Sequence, residues 1–524
     1  MNRLNERLNL LPAATLRGMR RGVEKESLRI DAQGKLALTP HPAALGSPLT
    51  NERITTDYSE SQLELITGVH ASVEDCEREL IELHQFTYQV LQAAGDEAMW
   101  VGSMPCGLPS DENIPIGRYG TSNIGRAKSI YRMGLSHRYG RRMQTISGIH
   151  YNWSLPGLDS ADYFALIRNF RRQCFLLLTL FGASPAVCPS FVEGREHGLQ
   201  KLSEHTLYLP HATTLRMGRL GYQSDAQAGI AASYNDLECY AASLHEALTR
   251  PHPDYERIGV RNLGGEYNQL TTSLLQIENE FYGTIRPKRV IRRGERPLHA
   301  LRERGVEYVE VRCMDLDPFE PVGIRAQTMR FLDVFLLHCL LSDSPLDTPQ
   351  EAAQIARNQQ RVASAGRDPA LELERGSGSV KLLDWADEVL TAMAPIAARL
   401  DALDEGAPLH AQALDDARAR LAQPHTLPSA RVIDAVRREH DGAYTRFGRH
   451  CARLTREHLL ALPYAASVHE RLQAQAVESI EAQKRVEAAD TLPFETWRQR
   501  YLDAGTLTPR PGDEAAARAL GETV

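Results

Sequence analysis

The chain has 524 residues, a formal net charge of −7, and 42% hydrophobic and 24% charged residues. This is ordinary globular usage, which excludes disordered, collagen-like and coiled-coil classes. The mildly acidic balance also argues against a dedicated nucleic-acid binder, which carries a large positive excess.

At roughly 100–200 residues per domain the length allows about three domains, or one elaborated domain. The first residues, MNRLNERLNLLPAA, lack a secretory core: residues 8–11 are too short a run and Asn9 interrupts it. RGVEKESLR at 21–29 reads as a strand that puts Glu24 and Glu26 on one face. Two carboxylates so placed either hold a cation or form a solvated face, with Lys25 and Arg29 pointing the other way. In TTDYSESQLELIT, Asp57 and Glu64 lie two helical turns apart or flank a bulged strand, and the sequence leaves both open. Residues 73–94 have helical periodicity. GTSNIG at 120–125 has P-loop glycine spacing, but Arg126 stands where lysine is needed and Lys128 comes two positions late.

GIHYNWSL at 148–155 alternates, with His150, Asn152 and Ser154 on one face and Ile149, Tyr151, Trp153 and Leu155 on the other. Residues 161–180 read as helix. The most apolar windows, 174–183 and 331–341, are too short to span a bilayer and read as buried helices. His245-Glu246 lacks the second histidine of a zincin, and Gly376-Ser-Gly378 lacks the third glycine of a dinucleotide fingerprint. QIENEFY puts Gln276, Glu278, Glu280 and Tyr282 on one strand parity, ahead of a basic run from Arg286 to Arg304 that reads as a solvated loop near phosphates. YVEVRC at 308–313 is sharper. Val309, Val311 and Cys313 form an apolar face, while Tyr308, Glu310 and Arg312 project together from the other. A carboxylate beside a guanidinium suits a metal and a transferring phosphoryl group; the plainer reading is a cross-strand ion pair.

Residues 341–524 are rich in Ala, Arg, Glu and Leu, with helical runs at 382–403, 411–422, 430–438, 468–488 and 493–502. The expected organisation is therefore α+β, with a sheet-bearing part at 1–340 and a helical C-terminal region at 341–524 packed on it. Eight scattered cysteines without a C-x-x-C pair read as reduced thiols of a cytoplasmic protein. Oxygen ligands in excess, with one imidazole, select Mg²⁺ or Mn²⁺ rather than zinc.

Eight segments occur in one order: RGVEKESLRI, ITTDYSESQLELIT, SMPC, YGTSNIGRAKSIYRMGLSHRYG, MQTISGIHYNWSLP, TLRMGRLGY, LLQIENEFYGTIRPKR and EYVEVRCMDLDPF. Together they resemble the proteobacterial type of glutamate–cysteine ligase (γ-glutamylcysteine synthetase), from about residue 18 to about 340. The resemblance implies a glutamine synthetase-like fold, whose curved, mainly antiparallel sheet binds ATP, Mg²⁺ and both amino acids. It implies metal ligands at Glu24, Glu26, Asp57, Glu64, His150 and Glu310, with Arg312 beside the transferring phosphoryl group. It places the acceptor pocket at Tyr58, Tyr131, Leu135, Gln144, Tyr222 and Tyr282, and the glutamate side near Arg132, Ile146 and Arg216. Tyr58 stands where the best-known members carry phenylalanine.

The implied reaction joins the side-chain carboxylate of L-glutamate to the amine of L-cysteine through γ-glutamyl phosphate, the first step of glutathione biosynthesis. No nucleic-acid, membrane or protein partner is expected. Two rivals are a ligase of this fold with another acceptor amine, and a nucleic-acid binder resting on the basic run. That run lacks interleaved aromatics and is flanked by acids.

Overall fold

Seven strands carry the site. In the computed structural model, which describes residues 2–221, 230, 232–292, 294–403 and 406–508, they are β1 (Arg20–Ile30), β2 (Ile54–Thr56), β3 (Gln62–Ile66), β4 (Ala98–Met99), β5 (Ile149–Ser154), β6 (Ile285–Lys288) and β7 (Tyr308–Met314). Their order is β2-β3-β1-β5-β7-β6, with β4 paired to the far end of β1, and every ladder is antiparallel. Asp57 and Glu64 thereby find their place: β2 and β3 form a hairpin, Glu64 lies on β3 and Asp57 just beyond β2.

Side-chain alternation gives the sheet two unlike faces. Ile149, Tyr151, Trp153, Val309, Val311 and Cys313 enter the main apolar core. Over this face pack helices α1 (Val73–Gly95), α3 (Ser160–Gln173), α4 (Phe175–Phe181) and α5 (Ala326–Leu341), while α2 (Asn123–Tyr139) borders the opposite face. α1 starts at Ser72, whose side chain accepts the Asp75 N–H, and its first turn carries Glu74 and Asp75 against the helix dipole. It buries Cys76, Leu80, Leu83 and Leu91. α5 is the apolar window anticipated at 331–341, and it buries Phe331, Val334 and Phe335 in the same core. The helix expected at 161–180 is divided at Cys174 into α3 and α4.

The helical runs expected after residue 341 are present, with two additions and one exception. The added helices are Pro349–Ala365 and Tyr444–Ala461, which the composition of the region did not single out. The exception is a two-stranded hairpin, Glu372–Arg375 with Gly378–Lys381. Helix Leu382–Asp401 sends Leu390, Met393 and Ile396 into the core that also holds the sheet residues. Helices Ala466–Ala488 and Phe494–Leu502 reach back to α2. Glu487 accepts the Thr121 N–H at 2.8 Å, Leu492 C=O accepts the Asn123 side-chain amide at 3.0 Å, and Phe494 packs with Ala127 and Leu270.

The cysteines depart from the expectation of eight free thiols: Cys106 and Cys188, 82 residues apart, form a disulfide, and the other six are free. The pairing is long-range, so no local spacing announces it. No helix among the described residues is long and apolar enough to cross a membrane.

Candidate active site

The polar face of the sheet gathers residues from five strands. β1 presents Glu24 and Glu26, β3 Glu64, β5 His150 and Asn152, β7 Glu310 and Arg312, and β6 Arg286 and Lys288. Antiparallel register sets them side by side: Glu24 faces His150, Glu26 faces Glu64, and Glu310 lies opposite both Asn152 and Arg286. The predicted alternation of β5 and β7 is thus the arrangement found.

His150 is the hub. Its Nδ1 lies 3.1 Å from Glu24 and 3.9 Å from Glu310, and its Nε2 3.8 Å from Glu26. Glu24 also accepts the Asn152 side-chain amide at 2.9 Å, and Glu26 accepts the Gly148 N–H at 2.7 Å. Glu310 meets Arg312 at 3.0 Å and Lys288 at 3.2 Å. Glu26, Glu310 and His150 are 3%, 1% and 4% exposed, so these charges interact with little screening by water.

Burial alone would push every carboxyl here upward, and the neighbours decide the outcome. Glu310 is held well below the usual carboxylate range because Lys288 and Arg312 outweigh its burial. Glu24 is also lowered: its burial is overcome chiefly by the His150 hydrogen bond. On the other side of His150, burial and the Asp57 charge push Glu26 up to about 8. Burial, with Glu24, Asp57 and Glu26 nearby, puts Glu64 well above its ordinary value. Burial, then Arg312, lowers His150 and keeps the imidazole neutral, the form that can ligate a metal. Burial works against the Arg312 charge, but Glu310 and Glu26 more than restore it.

Two half-sites follow. Ligand atoms of Glu24, His150 and Glu310 all lie within 4.8 Å of one another, and so do those of Glu26, Glu64 and His150. The donor chemistry fits hard divalent cations: carboxylates with one imidazole, and one half-site so short of positive charge that its acids titrate upward. Asp57 borders that second half-site through its charge on Glu26 and Glu64.

Beside the acids, Arg216 is fully buried and donates to the Arg312 carbonyl at 2.8 Å, with the Asp315 carboxylate 3.8 Å away. A Cβ at Gly148 would collide with the Arg216 guanidinium, so glycine is needed for this close approach. Tyr58, Leu135 and Ile146 share one apolar cluster, against which Tyr131 and Tyr282 pack. Gln144 donates to the Tyr282 hydroxyl at 2.8 Å. Burial raises the Tyr131 and Tyr282 hydroxyls, so both stay neutral. Arg132 donates to the Asp57 carbonyl. The structure therefore brings together every site residue expected from the sequence except Tyr222, which lies outside the described residues. A cavity of about 580 Å³, bounded by Arg216, Arg312, Tyr282, Thr284, Asp347 and Ala353, opens beside them.

Two expectations fail. Gln276–Tyr282 is not a strand: Glu278–Glu280 forms a 3₁₀ turn. Glu278 pairs with Arg296 at 2.8 Å and Glu280 with Arg138 at 3.0 Å, both buried structural ion pairs away from the metal half-sites. The basic run does not form a wholly solvated loop either. Arg286 and Lys288 stand on β6 and Lys288 touches Glu310, a role that their own i, i+2 alternation could have signalled. Lys128 and Asp315 also went unremarked as site residues.

The model of the glutamate–cysteine ligase family matches residues 8–362. Among curated relatives, the glutamate–cysteine ligase of Saccharophagus degradans is 47% identical over 509 residues, covering 93% of this chain and 95% of its own length. That of Pseudomonas paraeruginosa is 47% identical over 520 residues, covering 95% and 97%. Among solved structures, glutamate–cysteine ligase from Francisella tularensis in complex with AMP superposes with a TM-score of 0.88 at 36% identity, covering 93% of this chain and 98% of that one. A bifunctional glutathione synthetase from Pasteurella multocida matches with a TM-score of 0.68 at 25% identity, covering 92% of this chain and 58% of that one. The chain belongs to the glutamate–cysteine ligase family.

Proposed function

We propose that this ligase activates the side-chain carboxylate of L-glutamate as γ-glutamyl phosphate on the acid-lined face of the sheet, then passes the acyl group to the amine of L-cysteine. The net reaction is the ATP-dependent joining of the two amino acids, the first step of glutathione biosynthesis. The observation that carries the site assignment is Glu24, Glu26, Glu64 and Glu310 around His150, with Arg312 and Lys288 at their border.

An ionised carboxylate repels the amine it must accept. Phosphoryl transfer from ATP to a γ-carboxylate oxygen, with departure of ADP, supplies a leaving group. The cysteine amine then attacks the acyl carbon and inorganic phosphate departs. Positioning and charge stabilisation are the protein's main contributions to such chemistry. Arg312 faces the charge that grows on the transferring oxygens, and Lys288 stands ready for the triphosphate. Glu24, Glu310 and His150 would hold one divalent ion and Glu26, Glu64 and Asp57 a second. Bound Mg²⁺, or Mn²⁺ in its place, supplies neutralisation and polarisation of phosphate and carboxylate oxygens. Arg216 and Arg132 with Ile146 border the glutamate; Tyr58, Tyr131, Leu135, Gln144, Tyr222 and Tyr282 form the acceptor pocket. Residues 1–340 make up the catalytic part, with 341–524 packed on it. A cytoplasmic location goes with dependence on ATP and a reduced thiol substrate, and no macromolecular partner is required.

The test is phosphate release from ATP with Mg²⁺ and L-glutamate, with and without L-cysteine, and identification of the peptide by mass spectrometry. We expect γ-glutamylcysteine in step with phosphate. Acceptance of ammonia in preference to cysteine would overturn the acceptor assignment.

A further inference from the structure

Lys128 stands on α2 one turn before Arg132, and both cations lie over one aromatic ring. The Lys128 ammonium is 5.0 Å and the Arg132 guanidinium 4.5 Å from the centroid of Tyr119. Tyr119 is itself fixed, donating its hydroxyl to the carbonyls of Thr56 and Asp57 at 2.7 and 2.6 Å. The two cations differ in what else they touch. Arg132 donates to the Asp57 carbonyl and, at 3.0 Å, to the Lys128 carbonyl. The Lys128 ammonium makes no hydrogen bond or ion pair among the described residues. Its electrostatic neighbours are Arg132, Glu64 and Asp57. A half-buried lysine beside two acids, yet bonded to neither, is placed to receive an acceptor group that the protein does not provide.

Position along the sheet selects the group. Glu64 is on β3 and Lys288 on β6, four strand steps apart in the order β3-β1-β5-β7-β6. Between strand backbones, at about 4.8 Å per step, this is roughly 19 Å, and the side chains of Glu64, His150, Glu310 and Lys288 close part of that span. A triphosphate leaning on Lys288 and Arg312 is therefore served from the other end. The anion nearest Lys128 belongs to an amino acid. The γ-carboxylate of glutamate must lie beside Arg312 to react, whereas the α-carboxylate stays charged throughout and needs a permanent cation.

We propose that Lys128 is a substrate-binding residue for the donor, its ammonium taking the α-carboxylate of L-glutamate. The proposal rests on the placement of the phosphoryl group beside Arg312. The experiment is steady-state kinetics of the full-length Lys128→Met and Lys128→Arg variants, varying glutamate, cysteine and ATP in turn. Loss of one charge-assisted hydrogen bond should raise KM for glutamate about 10- to 100-fold in Lys128→Met. Within about threefold, kcat and the KM values for ATP and cysteine should hold, which identifies lost uniform binding. Lys128→Arg should recover most of the loss and remains informative if the methionine variant does not fold. An unchanged KM for glutamate overturns the proposal. So does a rise confined to ATP or to cysteine, which moves the cation to phosphate or acceptor. A fall in kcat at constant KM overturns it too, because Lys128 would then act on the reacting carboxylate. Wild-type enzyme that makes no γ-glutamylcysteine would instead sink the parent reading.

Discussion

Arg312→Ala separates two roles that a cation in an acid cluster can play. The guanidinium lies 3.0 Å from Glu310 and 3.5 Å from His150. At an effective dielectric constant of about 20, its attraction to Glu310 is about 5–6 kcal/mol before desolvation. Part of the charge that a divalent ion would neutralise is thus already neutralised by the arginine. Removing it should have two opposite consequences. Loss of a preorganised donor to the transferring phosphoryl group should lower kcat by about 10²–10³, the scale of a deleted oxyanion donor. The Glu24–His150–Glu310 half-site, relieved of a competing cation, should bind Mg²⁺ more tightly, so half-maximal activity should come at lower metal concentration. The assay is phosphate release with saturating amino acids, titrated with Mg²⁺ at a fixed excess over ATP, together with KM for ATP. An unchanged kcat, or a higher metal requirement, would refute the assignment of Arg312 to phosphoryl transfer.

Glu310→Gln reverses the metal effect: one anionic ligand is lost, and the Mg²⁺ concentration for half-maximal activity should rise, which an ordinary metal titration curve would contradict. Asp315→Asn disturbs the support of Arg216. Asp315 is buried, accepts the Ala183 N–H at 2.9 Å, the Ser184 hydroxyl at 2.6 Å and the Thr214 hydroxyl at 3.1 Å, and faces Arg216. An amide sets an N–H₂ against one of these donors, so denaturant unfolding should show a loss of about 2–4 kcal/mol, with KM for glutamate raised and KM for ATP held. His338 carries a pH dependence. Burial lowers it to about 4, against about 6.5 when unfolded, so the unfolded chain binds more protons between these values. Stability should therefore fall as pH drops from 6.5 to 4, by about 3 kcal/mol from this group, and the same slope in His338→Gln would refute the attribution.

What could be read from the sequence was what alternation determines. His150, Glu310 and Arg312 sit on strands long enough for parity to assign a face, and the register then makes them neighbours. Asp57 and Glu64 stayed ambiguous because a hairpin turn lies between them, and a turn resets parity. Gln276–Tyr282 alternates equally well, but its acids are met by Arg138 on α2 and by Arg296 at the start of a later short helix, so it needs no ladder. The residues of α2 and the acceptor pocket were reached through family resemblance alone. They converge from distant segments, as Gln144 does with Tyr282, 138 residues away. The Cys106–Cys188 pairing is non-local in the same sense.

β1 poses the hardest problem for the fold, since it carries charge on both faces: Glu24 and Glu26 above, Arg21, Lys25 and Arg29 below. In most half-buried strands an apolar face holds the register, and a one-residue slip is resisted by hydrophobic exposure. Here that resistance is weak at three positions of the lower face. Ion and hydrogen-bond partners replace it. Arg21 reaches Asp333 at 3.0 Å, which also accepts the Tyr151 hydroxyl at 2.8 Å. Lys25 meets His84 at 2.7 Å, and the other ring nitrogen of His84 lies 2.6 Å from the Leu80 carbonyl. Arg29 meets Glu97 at 2.5 Å. Each partner comes from a different element, and none can follow β1 through a slip. Removing one member of the Arg21–Asp333 or Arg29–Glu97 pair would leave a buried charge uncompensated, at about 3–5 kcal/mol, far more than a lost methyl group in an apolar face. Buried polar partners beneath the strand thereby fix which residues stand above it, and Glu24 and Glu26 are held on the reactive face by contacts made on the opposite one.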